Sequence, residues 1–491
     1  MGGYRNISKG VSAAKDGQTV YIAPGLYREN VLVDKSVRLV GLFDRYIGIN
    51  GMGGNYAVRM TANGAGIEDI VVLNATNGIE VVSCNDVNIT MCKAFYCNIG
   101  LSLANCTGTL VDGCTFMRNG GAGMYLADTM DVHVKNTASS ENGYGFGMYY
   151  APYTTFENCT ANFNSKAGFY LYWLSFGTRI LNASCTLNDM GVHVLDVDDV
   201  TIMGCTLEVN VHCGIHMMSR DSRIEDCQIT TDEGDGILLE NSEQVLVRGN
   251  YVGSSDRGIV LSSTAGSLLR NNTLNQNEVG IKLARGSTGN TIEDNDLLLS
   301  SSLQTTALTC GDNLWSGNYW QDSSGMDLDS DGVHDAPYLI DGHPTDTDDR
   351  PRAFPRSEWF LAPEVHWTGD LVANGTIDLS SSTRPVVSTV NYLWTVLGCG
   401  LDQRHNTSDI SVSPLRPGNL SVTLEAFDGT HYDQYTLVLT ILEPTPDDRE
   451  GGLGILRAFF LILTLFISFG ILVVLTMMRR FRRPLPPAPR W

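Results

Sequence analysis

Gly236-Ile-Leu-Leu239, Gly258-Ile-Val-Leu261 and Gly280-Ile-Lys-Leu283 repeat one phrase at intervals of 22 residues. The phrase extends N-terminally as Gly78-Ile79, Gly100-Leu101, Gly123-Met124, Gly147-Met148, Gly168-Phe169, Gly191-Val192 and Gly214-Ile215, with a period of 21 to 24 residues. Self-similarity at a fixed period is the mark of a stacked-repeat protein. Each phrase is a short β run, because apolar and variable positions alternate. Eight or nine residues before most of these glycines stands a second marker: Cys92, Cys114, Cys159, Cys205, Cys227, Asn250 or Asn272. A unit of about 22 residues with two or three short strands and Asn/Gly corners is one coil of a right-handed parallel β-helix. The predicted class is therefore all-β, a right-handed parallel β-helix joined to a small β-sandwich and one transmembrane helix.

The sandwich comes from residues 357–444. Gly375-Thr-Ile-Asp-Leu379, Val390 to Val396, Leu420 to Ala426 and Tyr435 to Ile441 are short alternating strands separated by turns. The membrane span is 458–478, 21 residues without a charge, enough to cross a bilayer as a helix. Arg479, Arg480, Arg482 and Arg483 follow it, while Asp447, Asp448 and Glu450 precede it. The positive-inside rule places the arginines in the cytoplasm and the rest outside. The predicted layout is β-helix 1–312, an aromatic and acidic segment 313–356, sandwich 357–444, linker 445–457, span 458–478 and a basic, Pro-rich cytoplasmic tail 479–491. Met1-Gly-Gly-Tyr-Arg-Asn6 has no apolar core of the kind an export signal needs, so the true start is expected upstream. Ile7 to Ala14 is expected to be a short amphipathic helix over the first coil, since an open solenoid end exposes unpaired strand edges.

The chain has 491 residues and a net charge of -21, with seven lysines and none after Lys282. No basic stripe is present, which argues against nucleic acid as a partner. Of the twelve cysteines, five share one ladder position. Buried thiols packed as small hydrophobes explain that spacing; disulfides between coils are the rival explanation. The absence of a CxxC pair gives no support to a zinc ribbon.

Several stretches resemble known families. Asp16-Gly-Gln-Thr-Val-Tyr-Ile-Ala-Pro-Gly-Leu-Tyr-Arg-Glu-Asn-Val31 and Lys35-Ser-Val-Arg-Leu-Val-Gly41 are similar to the entry coil of NosD-type β-helix proteins. Gly317-Asn-Tyr-Trp320 and the acidic run from Asp327 resemble the segment that ends many archaeal members. Residues 357–444, through Tyr392-Leu-Trp394, resemble a polycystic-kidney-disease-type or other immunoglobulin-like module. The resemblance implies a cell-surface protein of β-helix type; it is specific for fold and poor for activity.

Candidate sites fall into five groups. Asp327, Asp329, Asp331, Val333 and Asp335 follow the ligand spacing of a calcium loop with Gly332 at the sharp turn, although the twelfth position is Tyr338 rather than Glu. His212-Cys213-Gly-Ile-His216-Met217-Met218 offers soft ligands suited to copper. In a strand, however, His216 and Met218 share one face and Met217 the other, and methionine recurs at Met124 and Met148, so core packing is expected and copper is not. Asp196, Asp198, Asp199, Asp221, Asp226, Asp232, Glu233 and Asp235 could in principle line a sugar-cleaving groove, but aspartate at coil corners is also plain turn chemistry, and no catalytic residue is assigned. Phe146, Tyr149, Tyr150, Tyr153, Phe163, Phe169, Tyr170, Tyr172 and Trp173 crowd three coils, where they can form a sugar platform outside or a core inside; Tyr150 and Trp173 are the expected contact residues. Of ten Asn-x-Ser/Thr sequons, Asn374 and Asn406 in the sandwich are the expected glycan acceptors. The expected function is non-enzymatic recognition of an extracellular glycan or surface protein by a membrane-anchored rod. A polysaccharide-active enzyme is the first alternative and a copper-handling accessory protein the second.

Overall fold

A computed structural model describes residues 3–42, 46–231, 233–308, 310–328, 332–342, 346–355, 362–369, 371–384, 391–407, 409–427 and 432–442. They fall into two compact units, one ending at Arg356 and one beginning at Ser357.

The first unit is a right-handed parallel β-helix. A representative coil has strands Leu246–Arg248, Tyr251–Gly253 and Arg257–Ser262. Val247, Val252, Ile259 and Leu261 point inward and are fully buried, as period-two alternation requires. Each strand pairs in parallel with its counterpart one coil away. The first of the three sheets stacks fourteen parallel strands, from Thr19–Ile22 to Leu314–Ser316. At about 4.8 Å per coil that is roughly 60 Å of rod. The second sheet stands apart from Ser184–Thr186 onward; in earlier coils it runs into the third.

The repeat glycines exist for steric reasons. A Cβ on Gly100 would lie 2.5 Å from the carbonyl oxygen of Gly123, and one on Gly258 would lie 2.6 Å from that of Gly280. One member of the expected series is displaced. Met124 pairs with Phe146 and Tyr125 with Gly147, so the repeat glycine is Gly145, not Gly147. A Cβ on Gly145 would meet the Gly168 carbonyl oxygen at 2.4 Å, whereas one on Gly147 would meet the Tyr125 ring at 2.9 Å. With Gly145 in place the spacing is 22 or 23 residues throughout.

The second sequence marker occupies the corner between the first and second strands. There the backbone N–H points along the rod and needs an acceptor from the next coil. Asn272 Oδ1 accepts from Asn250 N at 3.0 Å, Asn295 from Asn272 at 3.0 Å, and Asn318 from Asn295 at 3.0 Å. Earlier in the rod the same corner uses sulfur or hydroxyl: Cys227 Sγ accepts from Cys205 N at 3.4 Å and Thr137 Oγ1 from Cys114 N at 3.3 Å. All twelve cysteines are free and buried. A second asparagine ladder, Asn119, Asn142, Asn164, Asn188 and Asn210, does the same at the next corner.

Both ends of the rod are closed by charge. The helix Ile7–Ala13 buries Ile7 and Val11 against the first coil, as expected. Glu29 accepts from Ile7 N at 2.7 Å and Ser8 N at 3.0 Å, and Lys35 Nζ donates to the carbonyls of Val11, Ser12 and Ala14. An anion at the N-terminus and a cation at the C-terminus both oppose the helix dipole. At the other end the coils continue through Leu314–Ser316 and Tyr319–Trp320, beyond the position where the sequence periodicity fades. The asparagine ladder finishes on the fully buried Asp348, whose carboxylate accepts from Gly317 N, Asn318 N, Asn318 Nδ2, Trp320 Nε1 and Arg350 N.

The second unit has two antiparallel sheets, one of Ala362–Gly369, Ile377–Arg384 and Asp409–Val412, the other of Leu401–His405, Asn391–Gly398, Gly418–Phe427 and Tyr432–Ile441. Ile377, Leu379 and Val412 from one sheet share a core with Trp394, Val396, Leu420, Val422 and Leu424 from the other. Trp394 Nε1 donates to Thr407 O at 2.8 Å. Asn374 and Asn406 are exposed. Among the described residues no helix is long and apolar enough to cross a membrane; the predicted span 458–478 lies outside them.

Asp348→Ala should strand five donors. We expect faster amide exchange at 314–320 and a loss of about 3 kcal/mol or more, at 1–3 kcal/mol per buried unsatisfied group. Gly145→Ala should lower the melting point markedly, through overpacking of roughly 1–3 kcal/mol, while Gly147→Ala, facing only a side-chain ring, should cost less. Equal effects of the two glycine variants would contradict the register.

Candidate functional site

The residue two positions after each repeat glycine points outward from the third, long-strand sheet. Strand pairing therefore builds an external row of Tyr125, Gly147, Tyr170, His193, His216, Leu238, Val260 and Lys282, one from each coil. Beside it runs a row of Tyr149, Tyr172, Leu195 and Met218. On the other side run Tyr144, Ala167, Met190, Cys213, Asp235 and Arg257. From Phe146 to Tyr149 and from Phe169 to Tyr172 the aromatics thus divide by strand parity. Phe146, Phe156 and Phe169 pack inside, with ring centres 4.8 to 5.2 Å apart, and the tyrosines stand outside.

On the outer face the rings form a continuous surface. Tyr144 stacks on Tyr170 at 4.9 Å, Tyr170 meets His193 at 5.3 Å, and His193 lies parallel to His216 at 4.9 Å and 8°. Gly147 leaves space in this row for the Tyr125 ring. Lys166 Nζ sits 4.7 Å from the centre of the Tyr144 ring. Tyr149 contacts both Tyr172 and Trp173.

Packing of the rings against the sheet alters their protonation. Burial, then the neighbouring tyrosines, pushes the Tyr170 phenol up. Burial, then the adjacent His216, holds His193 down at about 4. Glu240 Oε2 stands 3.3 Å from His216 Nε2, but the geometry is not that of a hydrogen bond and the nitrogen is sealed from solvent. The other oxygen of Glu240 accepts from Arg285 at 3.1 Å. Asp235 is bound bidentately by Arg257 at 2.5 and 2.8 Å.

The sequence-derived candidates are distributed as follows. Tyr150 and Trp173 occupy consecutive coils at the corner leaving the long-strand sheet. Both are about half exposed with left-handed backbone, and Tyr150 N donates to Trp173 O at 2.9 Å. Asp196, Asp199 and Asp221 hold left-handed turn positions, and Asp198 accepts from Arg220 N. They do not join Asp226, which lies at a different corner, or Asp235 on the sheet face, and Asp232 lies outside the described residues. In the acidic loop, Asp327 accepts from Gly332 N and Asp335 from Leu328 N, and Val333 bridges Arg352. Asp329 and Asp331 lie outside the described residues.

The soft-ligand segment splits in three. His212 pairs with Asp189. The Cys213 thiol is buried and donates to Ile215 O, and Met217 lies in the core in the same row as Met148, whereas Met124 belongs to the neighbouring row. His216 and Met218 face outward, and His193, absent from the sequence candidates, stands beside His216. The signal was present in the repeat itself: Gly191-Val-His193 and Gly214-Ile-His216 are the same phrase one coil apart.

A family model described as "Periplasmic copper-binding protein (NosD)" matches residues 172–325, and one described as "Right handed beta helix region" matches 48–185. No curated protein matches the chain. Among solved structures, the A-module of a mannuronan C-5 epimerase from Azotobacter vinelandii is 17% identical with a TM-score of 0.50, over 63% of this chain and 92% of that one. The catalytic domain of a GH87 α-1,3-glucanase is 14% identical with a TM-score of 0.44, over 62% and 65%. A PL6 alginate lyase is 12% identical with a TM-score of 0.41, over 70% and 88%. These likenesses are of fold. Copper, which the first family description implies, does not fit His193, His216 and Met218: the His193 and His216 rings stack in parallel, so their in-plane nitrogen lone pairs do not converge on one ion, and among the described residues no group of three or more His, Cys, Asp or Glu side chains could hold a metal ion.

Burial of neutral His193 makes stability pH-dependent. Folded His193 titrates near 4, against about 6.5 unfolded. Its contribution is full above the unfolded value and is lost as pH falls towards the folded one, since the unfolded chain then binds more protons. Nuclear magnetic resonance titration of the metal-free chain should show His193 still neutral at about pH 5.5. His193→Gln should flatten the acid-side loss of stability.

Proposed function

We propose that this chain is a carbohydrate-recognising β-helix that binds a glycan along the outer face of its long-strand sheet without cleaving it. The observation that carries this reading is the continuous outward surface of ring contacts from Tyr144 across to Tyr170 and on to His193, bordered by Tyr149, Tyr172 and Trp173. Tyrosine offers an apolar face and a polar tip, which suits the apolar ring faces and hydroxyls of a sugar. One side chain per coil presents a regular ladder to a ligand that is itself a linear repeat.

Two further features favour binding over hydrolysis. The carboxylates on this face, Asp235 and Glu240, are each held by an arginine, and the other acidic candidates stand at turn positions rather than as a facing pair. The mannuronan C-5 epimerase module that shares the fold is named for a polysaccharide, and a glycan is the partner class this face would take. In this proposal residues 458–478 anchor the chain in a membrane with the rod outside, presenting the face to extracellular polysaccharide.

Retention of the purified chain on a panel of neutral and acidic polysaccharides tests the reading. Tyr170→Ala and Tyr172→Ala should each weaken retention, and together by about tenfold, at roughly 0.5–1.5 kcal/mol per aromatic contact. A double variant that binds like the unmodified chain, or release of new reducing ends from the bound polysaccharide, would overturn it.

A further inference from the structure

Resting on the glycan reading above, we infer that the ring-lined face selects a neutral polymer of hexopyranose units and turns polyuronates away.

Charge is missing where the rings stand. The six consecutive long strands from Ile99–Ala104 to Cys213–Met218 contain no Asp, Glu, Lys or Arg at any position. At about 4.8 Å per coil, that is roughly 30 Å of rod. The same coils are charged elsewhere: Asp112, Lys135, Glu157 and Arg179 stand on the outer face of the first sheet. Recognition of a polyuronate needs cations that can pair with its carboxylates, and these strands supply none.

The charges that border the face are already matched. Towards the N-terminus Glu80 stands 3.1 Å from Arg59. Towards the C-terminus Arg257 holds Asp235 at 2.8 Å and Arg285 holds Glu240 at 3.1 Å. Lys282 lies three coils past His216 in the same row. Lys166, at the margin, lies over the Tyr144 ring and is one cation against a polymer with a carboxylate on every sugar. Burial, then the adjacent His216, holds His193 down at about 4, so it adds no positive charge near neutral pH. Glu240 stands 3.3 Å from His216 Nε2, so a proton there would already have its counter-charge.

An ionised carboxylate laid on these rings would shed water with no cation to replace it, which is costly. The net charge of -21 adds repulsion of a polyanion at longer range. A neutral hexopyranose meets neither cost. Its C–H face packs on the rings and its hydroxyls reach the phenols. Burial pushes the phenols of Tyr125 and Tyr170 up, so both keep their O–H as donors.

The test compares matched polymers on the full chain: a β-glucan, a β-mannan and an α-glucan, each beside its own form oxidised at the primary alcohol to the uronate. At least one neutral polymer should be retained, and its uronate form should bind about tenfold more weakly or worse. Retention of the neutral form should not change between about 0.05 and about 0.5 M salt, a range over which exposed charges become screened. Leu195→Lys, which places a cation beside Tyr172, should narrow the gap between the two forms. Uronate forms retained as well as their neutral parents, loss of neutral retention at high salt, or an unchanged gap in Leu195→Lys would overturn the selectivity while leaving glycan binding in place. Retention of no polymer in either form would overturn glycan binding itself, and the selectivity with it.

Discussion

A coil that turns three times must bury three corners, and the corner N–H groups are the constraint on which the rest of the rod depends. They point along the axis, where neither water nor a same-coil partner can reach them. The chain meets the need with a side-chain acceptor from the following coil: asparagine at some corners, cysteine, serine or threonine at others. Each solution requires the next coil to present its acceptor at the same height. That requirement holds the repeat to 22 or 23 residues from Gly78 to Gly280 and makes every coil depend on its successor.

Such a ladder cannot simply stop, because its last member would leave donors without acceptors. Asp348 resolves this at the C-terminal end: a carboxylate has no N–H to satisfy and can take five donors at once. At the N-terminal end the problem is an exposed sheet edge and core. There the helix at Ile7–Ala13 is clamped by Glu29 and Lys35 from the coils it covers. Both caps use full charges in place of repeat residues, so these segments fall outside the sequence periodicity.

The outer face inherits its order from the inner one. Since inward and outward residues alternate, fixing the core register also fixes which side chains line up outside. The rod thereby brings residues 23 positions apart in sequence into ring contact, as with Tyr170, His193 and His216. The aromatic surface and the histidine pair occupy neighbouring coils of this one face, and a rigid core beneath holds them in place.

Much of this was legible in the chain itself. Glycine–apolar pairs, corner cysteines and asparagines, and the alternation between them specify stacked coils, because each answers a local steric or hydrogen-bonding demand that recurs every turn. The covering helix was readable from its amphipathic pattern, and the sandwich from four of its strands. Three things needed the folded chain. Gly145 and Gly147 look alike in sequence, and only the pairing of Phe146 with Met124 shows which one meets a neighbouring carbonyl. Asp348 lies 30 residues beyond the asparagine it caps, with no periodic signal to tie them. The partnership of His193 with His216 is set by coil register, which sequence spacing suggests but only packing of the strands against a common core enforces.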